Sequence, residues 1–354
     1  MSRTTVEVNT PTDANEDCAL YVDMGTTNTR VWLALGERVL AQSSIGVGVR
    51  NTARDGSATR LRAALREVIA EACEAGTAQD QSCVPSCVVA AGMISSPLGL
   101  VEVPHIRAPA GIHDIATNME QHTFPDITTL PILLIPGVRS DSAENDPYRV
   151  GSADVMRGEE TLCTGLMARG SLSPPSVLLN LGSHWKAINI DHEGRIASSR
   201  TSLSGELIHA LQTSTILASA VPHERPASID FRWIEAGIRE EREQGLARAL
   251  FGVRLLEQRG GTTADERLAF LIGAVIAADM DVLIHNRVLF RTAPVILTGG
   301  SAIALAWQHA LLMESIEAVI VPEGEMAAAL LEGLQFFRRE YRYRCANKVV
   351  CREK

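Results

Sequence analysis

Asp23-Met24-Gly25-Thr26-Thr27-Asn28-Thr29-Arg30 reads as a hairpin turn with unusual chemistry. The apolar run Ala19-Leu20-Tyr21-Val22 leads into it, and Val31-Trp32-Leu33-Ala34-Leu35 leaves it. Both runs are too short for helices and rich in β-branched, aromatic and aliphatic residues, which predicts two strands. The turn carries a carboxylate, a glycine, hydroxyls, an amide and a guanidinium. Gly25 has no Cβ and lets the backbone approach a ligand closely. Thr26 and Thr27 can offer hydroxyls and backbone N–H groups to phosphate oxygens. Asp23 can hold Mg²⁺, directly or through water, because that ion favours carboxylates and keeps several waters. The same residues would also serve an ordinary polar turn, so their meaning depends on the rest of the chain.

The 354 residues, 46% of them apolar, suffice for two domains with sizeable cores. No run approaches the ~18 uninterrupted apolar residues of a membrane helix. The first 17 residues lack the apolar centre of a signal peptide. These features predict a cytoplasmic protein with no membrane partner and a disordered N-terminal extension over 1–18. The formal net charge of −9 argues against a nucleic-acid partner, which would call for a basic surface. Cys18, Cys73, Cys83, Cys87, Cys163, Cys345 and Cys351 match no zinc spacing, so buried or reduced thiols are expected. The basic stretch from Arg338 to Lys354 reads as a solvated end.

Along the chain, strands are expected at 19–24, 30–35 and 38–45, a helix over 58–75, and buried strands at 88–90 and 132–135. Three strands, a helix and a strand form an α/β signature with a mixed sheet. The polar segment from Arg139 to Ser152 reads as a loop and a domain junction. A helix over 159–168 follows. The three-strand unit then recurs at 177–199, again with a glycine and a hydroxyl in its first turn. Helices are expected at 204–213, 230–258 with breaks, 264–287, 302–314 and 325–337, with strands at 294–297 and 318–321.

Three further segments carry chemistry. In Asn180-Leu181-Gly182-Ser183-His184-Trp185-Lys186, the turn can present N–H groups to a phosphate, and His184 and Lys186 alternate in phase. In Leu297-Thr298-Gly299-Gly300-Ser301, paired glycines before a helix N-terminus leave room for a nucleobase or ribose. Neither a dinucleotide fingerprint nor a P-loop is present. In Met156-Arg157-Gly158-Glu159-Glu160-Thr161, two acids open a helix. First-turn acids commonly complement the helix dipole. A carboxylate there can also take a proton from an attacking hydroxyl. Ala91-Gly92-Met93-Ile94 follows a buried strand, where α/β folds place ligands. Ser204-Gly205-Glu206-Leu207 opens a helix whose Glu206 is not at the capping-box position.

Taken in order, these segments resemble the 2-dehydro-3-deoxygalactonokinase family, in the sugar-kinase branch of the actin-like ATPase superfamily. The resemblance covers roughly residues 19 to 335. It implies an α/β fold of two actin-like (ribonuclease H-like) domains, mixed sheets flanked by helices, with the active site in the interdomain cleft. The expected division is 19–150 with the first phosphate loop and sugar-binding part, 151–340 with the second loop and adenosine part, and a basic tail over 341–354. It implies ATP and Mg²⁺ as cofactors and a sugar acid as the small-molecule substrate, phosphorylated on its terminal 6-hydroxyl. A homodimer is the expected assembly. Carried over by position, Gly25, Thr26 and Thr27 form the first phosphate loop, Gly182 and Ser183 the second, and Gly299 and Gly300 adjoin the adenosine. Asp23 is the expected metal ligand. Glu159 is the expected base, with Glu160 and Asp23 as alternatives. Asn28, Arg30, Met93, Ile94, Arg107, His184 and Lys186 are candidates around the sugar acid, with Arg30 and Lys186 the first choices for its carboxylate. The chain departs from the family pattern at Met24, Ser183, Trp185, Ala187, Pro97 and Leu100, and in the long 139–153 loop. Three competitors stand beside this expectation: a kinase of a related 2-keto-3-deoxy acid, a silent nucleotide-binding regulator, and an ATPase or acid kinase that would tolerate loss of Glu159.

Overall fold

The computed structural model describes residues 18–140, 148–289 and 293–350. The extension expected over 1–18 lies outside these residues except for Cys18. In chain order the first elements are β1 (Cys18–Met24), β2 (Thr29–Leu35), β3 (Arg38–Ile45), α1 (Val49–Asp55), α2 (Thr59–Gln79), β4 (Val88–Gly92), β5 (Ile106–Arg107) and α3 (Ile112–Thr117). Next come β6 (Glu120–His122), β7 (Ile132–Leu134), β8 (Val138–Ser140), β9 (Asp154–Met156), α4 (Glu159–Ala168), β10 (Ser176–Leu181), β11 (Trp185–Ile190) and β12 (Ile196–Ser202). Last are α5 (Ser204–Ser214), α6 (Phe231–Gln244), α7 (Leu246–Arg259), α8 (Ala264–His285), β13 (Val295–Gly299), α9 (Ser301–Met313), β14 (Ala318–Ile320) and α10 (Glu323–Val350).

These elements form two compact units. The first runs to Pro104 and adds Ala116–Gly137 and the chain from Phe337 onward; the second holds His105–Ile115 and Val138–Phe336. The chain passes between them at 104/105, 115/116, 137/138 and 336/337. The sequence predicts a single boundary, at 150.

In the first unit the sheet order is β3-β2-β1-β4-β7-β6. β1, β2 and β3 are antiparallel neighbours, while β4 runs parallel to β1 and β7 parallel to β4. β1 is almost wholly buried because it is central and covered on both faces, hence its unbroken apolar sequence. α2 lays Leu61, Leu65, Val68, Ile69 and Ala72 into this core, the face that the helical spacing predicts.

The second unit repeats the plan, with sheet order β12-β11-β10-β13-β14, the first three antiparallel and the last three parallel. The repeated three-strand pattern in the sequence is therefore a repeated ribonuclease H-like sheet. α8 starts on a capping box in which Thr263 and Glu266 satisfy each other's backbone N–H. It is long and apolar enough to cross a membrane by length and composition, and it is the core helix of this unit, with Leu268, Leu271, Ile272, Val275 and Ile276 all buried. A third sheet, β5-β8-β9, belongs to the same unit.

Three expectations are corrected. Cys18 and Cys83 form a disulfide rather than remaining reduced. Their sequence separation of 65 hides a proximity that β4 creates by pairing with β1. The described free thiols are Cys73, Cys87, Cys163 and Cys345. The basic end is only partly solvated: it begins inside α10, and residues such as Arg339 and Tyr343 are exposed. Within it Arg338 is buried and donates to Tyr21 Oη at 3.4 Å and Ser86 Oγ at 3.3 Å. Finally, the loop expected from Arg139 opens as strand β8.

Candidate active site

In the first unit the β1–β2 hairpin closes through Gly25 N–H donating to Asn28 O at 2.8 Å. Asp23 faces Arg30 across the hairpin, and their side chains lie 3.7 Å apart. Thr27 and Asn28 are exposed at the tip, with Asn28 Nδ2 donating to Thr27 Oγ1 at 3.1 Å. The start of α1 supports the turn from behind. Arg50 N–H donates to Thr26 O at 2.9 Å, and Val49 N–H to Gly25 O at 3.4 Å. This contact needs Gly48: a Cβ there would lie 2.5 Å from Gly25 O and 2.6 Å from Thr26 O. Among the ligand-facing candidates that follow β4, Ile94 is fully buried in the core, while Met93 is half-buried against it.

The second unit builds its β10–β11 hairpin in the same way. Gly182 and Ser183 are exposed at the tip, and Glu206 N–H, at the start of α5, donates to Ser183 O at 2.8 Å. Gly205 plays the part of Gly48, since a Cβ on it would overlap Gly182 O and stand 2.6 Å from Ser183 O. Glu206 has the separate task its position suggests, with its carboxylate 3.4 Å from His184 Nε2. His184 and Lys186 therefore meet different partners, the first on α5 and the second on β9. Alongside, Gly299 pairs in register with Leu181 and holds φ at +131°, a conformation closed to most side chains. Gly300 has open space around it, so of the two glycines only Gly299 is sterically required.

The helix-opening acids differ sharply. Glu160 is fully buried, and both its carboxylate oxygens accept from Gly158 N–H, at 2.8 and 2.9 Å. Burial first, and then the neighbouring Glu159 charge, push its carboxyl up to about 7. Glu159 instead lies 3.5 Å from Lys186 Nζ, and its Oε2 is buried without a hydrogen-bond partner among the described residues. Lys186 is 5% exposed and donates to Val155 O at 2.7 Å. Two residues predicted separately, Glu159 and Lys186, thus form one partly buried ion pair. Arg107, on β5, stands opposite Arg139 on β8. His105, Arg139 and Arg157 join this neighbourhood without having been singled out in the sequence. Only Arg157 lay within a quoted motif.

Residues 23–335 match the sequence profile of the 2-keto-3-deoxy-galactonokinase family, which is most of the chain. The chain belongs to that family. A relative with the name 2-dehydro-3-deoxygalactonokinase, from Escherichia coli (strain K12), is 29% identical over 288 residues, spanning 79% of this chain and 86% of the relative. A crystal structure from Sinorhizobium meliloti, provisionally named 2-dehydro-3-deoxygalactonokinase, superposes with a TM-score of 0.70 at 24% identity, covering 91% of this chain and 98% of that one. The fold is thus actin-like, and the chain is a sugar kinase that uses ATP.

Within a 2-keto-3-deoxy-galactonokinase, the donor set for a metal is sparse. Among the described residues no three His, Cys, Asp or Glu side chains gather. Mg²⁺ typically binds through one or two carboxylates and the substrate's phosphates. Asp23, at the end of β1 beside the turn hydroxyls, fits such a site.

Glu160 makes a measurable pH prediction. Its carboxyl titrates near 4.5 when unfolded and near 7 when folded. The folded state holds the proton more tightly, so this contribution to stability is complete below about 4.5 and is lost as pH rises through about 7. Glu160→Gln keeps an acceptor for Gly158 N–H and removes the titration. Urea unfolding midpoints should decline across that window in the wild type and stay flatter in the variant. Parallel declines would contradict the assignment.

Proposed function

We propose that this kinase transfers the γ-phosphoryl group of ATP to the 6-hydroxyl of 2-dehydro-3-deoxy-D-galactonate. The observation that carries the reading is Glu159: its carboxylate is held beside Lys186 at the start of α4, with Oε2 uncommitted to any donor among the described residues. The name of the Escherichia coli relative supports the substrate. In this reading Glu159 accepts the proton of the 6-hydroxyl, whose oxygen forms the new bond to phosphorus as the bond to the β,γ-bridging oxygen breaks and ADP leaves. The backbone and hydroxyls of Gly25, Thr26, Thr27, Gly182 and Ser183 position the phosphates. Gly299 lets the nucleoside lie close to the chain. When bound, Mg²⁺ at Asp23 would offset phosphate charge.

Several departures from the family pattern are compatible with an unchanged substrate. Met24, Trp185 and Ala187 are buried core residues, Trp185 packing edge-on against Trp307 with ring centroids 5.5 Å apart. Leu100 packs half-buried on the first unit's core. These positions repack cores and leave the polar candidates intact.

The test is ADP release with Mg²⁺-ATP and 2-dehydro-3-deoxygalactonate, its gluco epimer, or no sugar. Release dependent on the galacto acid supports the proposal. Release with the epimer alone moves the substrate, and release independent of sugar points to an ATPase.

A further inference from the structure

Asp279, near the end of α8, is a partly buried acid that the chemistry above does not use. Its Oδ2 accepts from Ser202 Oγ at 2.6 Å and from Ser204 Oγ at 2.7 Å, and the two hydroxyls lie 2.9 Å apart. Burial raises the Asp279 carboxyl, and the two hydroxyls act against that rise, so they bind the ionised form. An acid withdrawn from water in this way is costly unless it is hydrogen-bonded, and the two serines are what it serves.

Both serines border the second hairpin turn. Ser202 ends β12 and pairs with Trp185, the first residue of β11 after the turn. Ser204 opens α5, and the next two residues carry the turn: a Cβ on Gly205 would meet Gly182 O and Ser183 O, and Glu206 N–H donates to Ser183 O. Leu203 gives α5 no side-chain cap, so its start depends on these contacts and on Asp279. A cavity of about 200 Å³ adjoins this corner, lined by Leu181, Trp185, Ser202, Asp279 and Trp307 among others. Apolar packing therefore leaves the segment room to shift, and the hydrogen bonds hold it. The first unit makes the corresponding join locally, with Thr29 Oγ1 donating to Val47 O at 2.8 Å and Gly48 N–H to Asn51 Oδ1 at 3.1 Å. The second unit reaches to α8 for it.

We propose that Asp279 is a positioning residue for ATP: through Ser202 and Ser204 it fixes the end of β12 and the start of α5, and so the backbone of the Gly182–Ser183 turn that receives the phosphates. This rests on the assignment of that turn as a phosphate loop. The acid acts through the serines and takes no part in phosphoryl transfer. Without the tie the turn is no longer ordered in advance, and the nucleotide must order it on binding, which weakens affinity.

Two readouts on the free full-length enzyme test this: amide hydrogen exchange across residues 182–187, and calorimetric binding of β,γ-imido-ATP with Mg²⁺. The samples are wild type, Asp279→Ala, Asp279→Asn, Ser204→Ala and Leu283→Ala. Leu283 is buried on α8 and lines the same cavity, so its truncation loosens the core without touching the serines. Asp279→Ala and Ser204→Ala are expected to exchange faster at the turn and to bind the nucleotide roughly 3- to 10-fold more weakly. Asp279→Asn keeps an acceptor oxygen and should fall between them and the wild type. Leu283→Ala should lower the thermal midpoint while turn exchange and affinity stay near wild type. Unchanged exchange at the turn in Asp279→Ala and Ser204→Ala would overturn the proposal, as would an equal loss of affinity in Leu283→Ala. Faster exchange with unchanged affinity would overturn it too, and if Gly205→Ala also binds at full affinity, the phosphate-loop assignment itself fails. Should Asp279→Ala not fold, the same readings on Asp279→Asn and Ser204→Ala decide.

Discussion

Exchanging Glu159 for glutamine should lower kcat by about 10²- to 10⁴-fold, the usual contribution of a positioned general base, with KM for ATP near the wild-type value. Glutamine preserves shape and leaves an oxygen toward Lys186, but it cannot accept the proton of the attacking hydroxyl. The neighbouring Glu160→Gln is expected to keep nearly full turnover. Both oxygens of Glu160 are turned to Gly158 N–H and closed off from solvent, so its carboxylate organises the start of α4. Steady-state rates of the pair are decisive. A silent Glu160→Gln beside an active Glu159→Gln would reverse the roles.

Gly48→Ala and Gly205→Ala should each cost on the order of 10²-fold or more in kcat/KM while circular dichroism stays unchanged. The two hairpin turns rest directly on these glycines, through Gly25 and Thr26 in one unit and Gly182 and Ser183 in the other. A methyl group at either position meets backbone carbonyls, which cannot swing aside as a side chain would, so the turn itself must shift. Displacement of reacting groups by about 1 Å costs around 10²-fold in rate. Gly300→Ala is the control, because its Cβ would meet open space. Losses of the same size in all three variants would mean that the turns are not positioned in this way.

Much of this architecture was legible because it is written in long apolar runs. The two three-strand units, α8 and α4 beginning after Gly158 each rest on a local signal, whereas the capping box of α8 emerges only from the structure. The supporting glycines were not legible as such, because Gly48 and Gly205 lie beyond their hairpins in sequence and meet them only after folding. β5, β8 and β9 escaped because, unlike the equally short β7 and β14, they mix polar residues into two or three positions and present no apolar run. Ile94 looked ligand-facing from its small-residue loop, yet it fills the core. Arg338 looked solvated from its basic surroundings, but tertiary packing takes it to Tyr21. The Cys18–Cys83 bond follows from strand pairing, which residue spacing does not encode.

The most direct test of the central claim is the position of the transferred phosphate. ATP, Mg²⁺ and 2-dehydro-3-deoxygalactonate are incubated with the enzyme, and the product is examined by phosphorus–proton correlation NMR. The account predicts a phosphate ester whose phosphorus couples to the two protons of the terminal carbon, formed in equal amount with ADP. Inorganic phosphate alone, or a phosphorus coupled to any other carbon's proton, would contradict it.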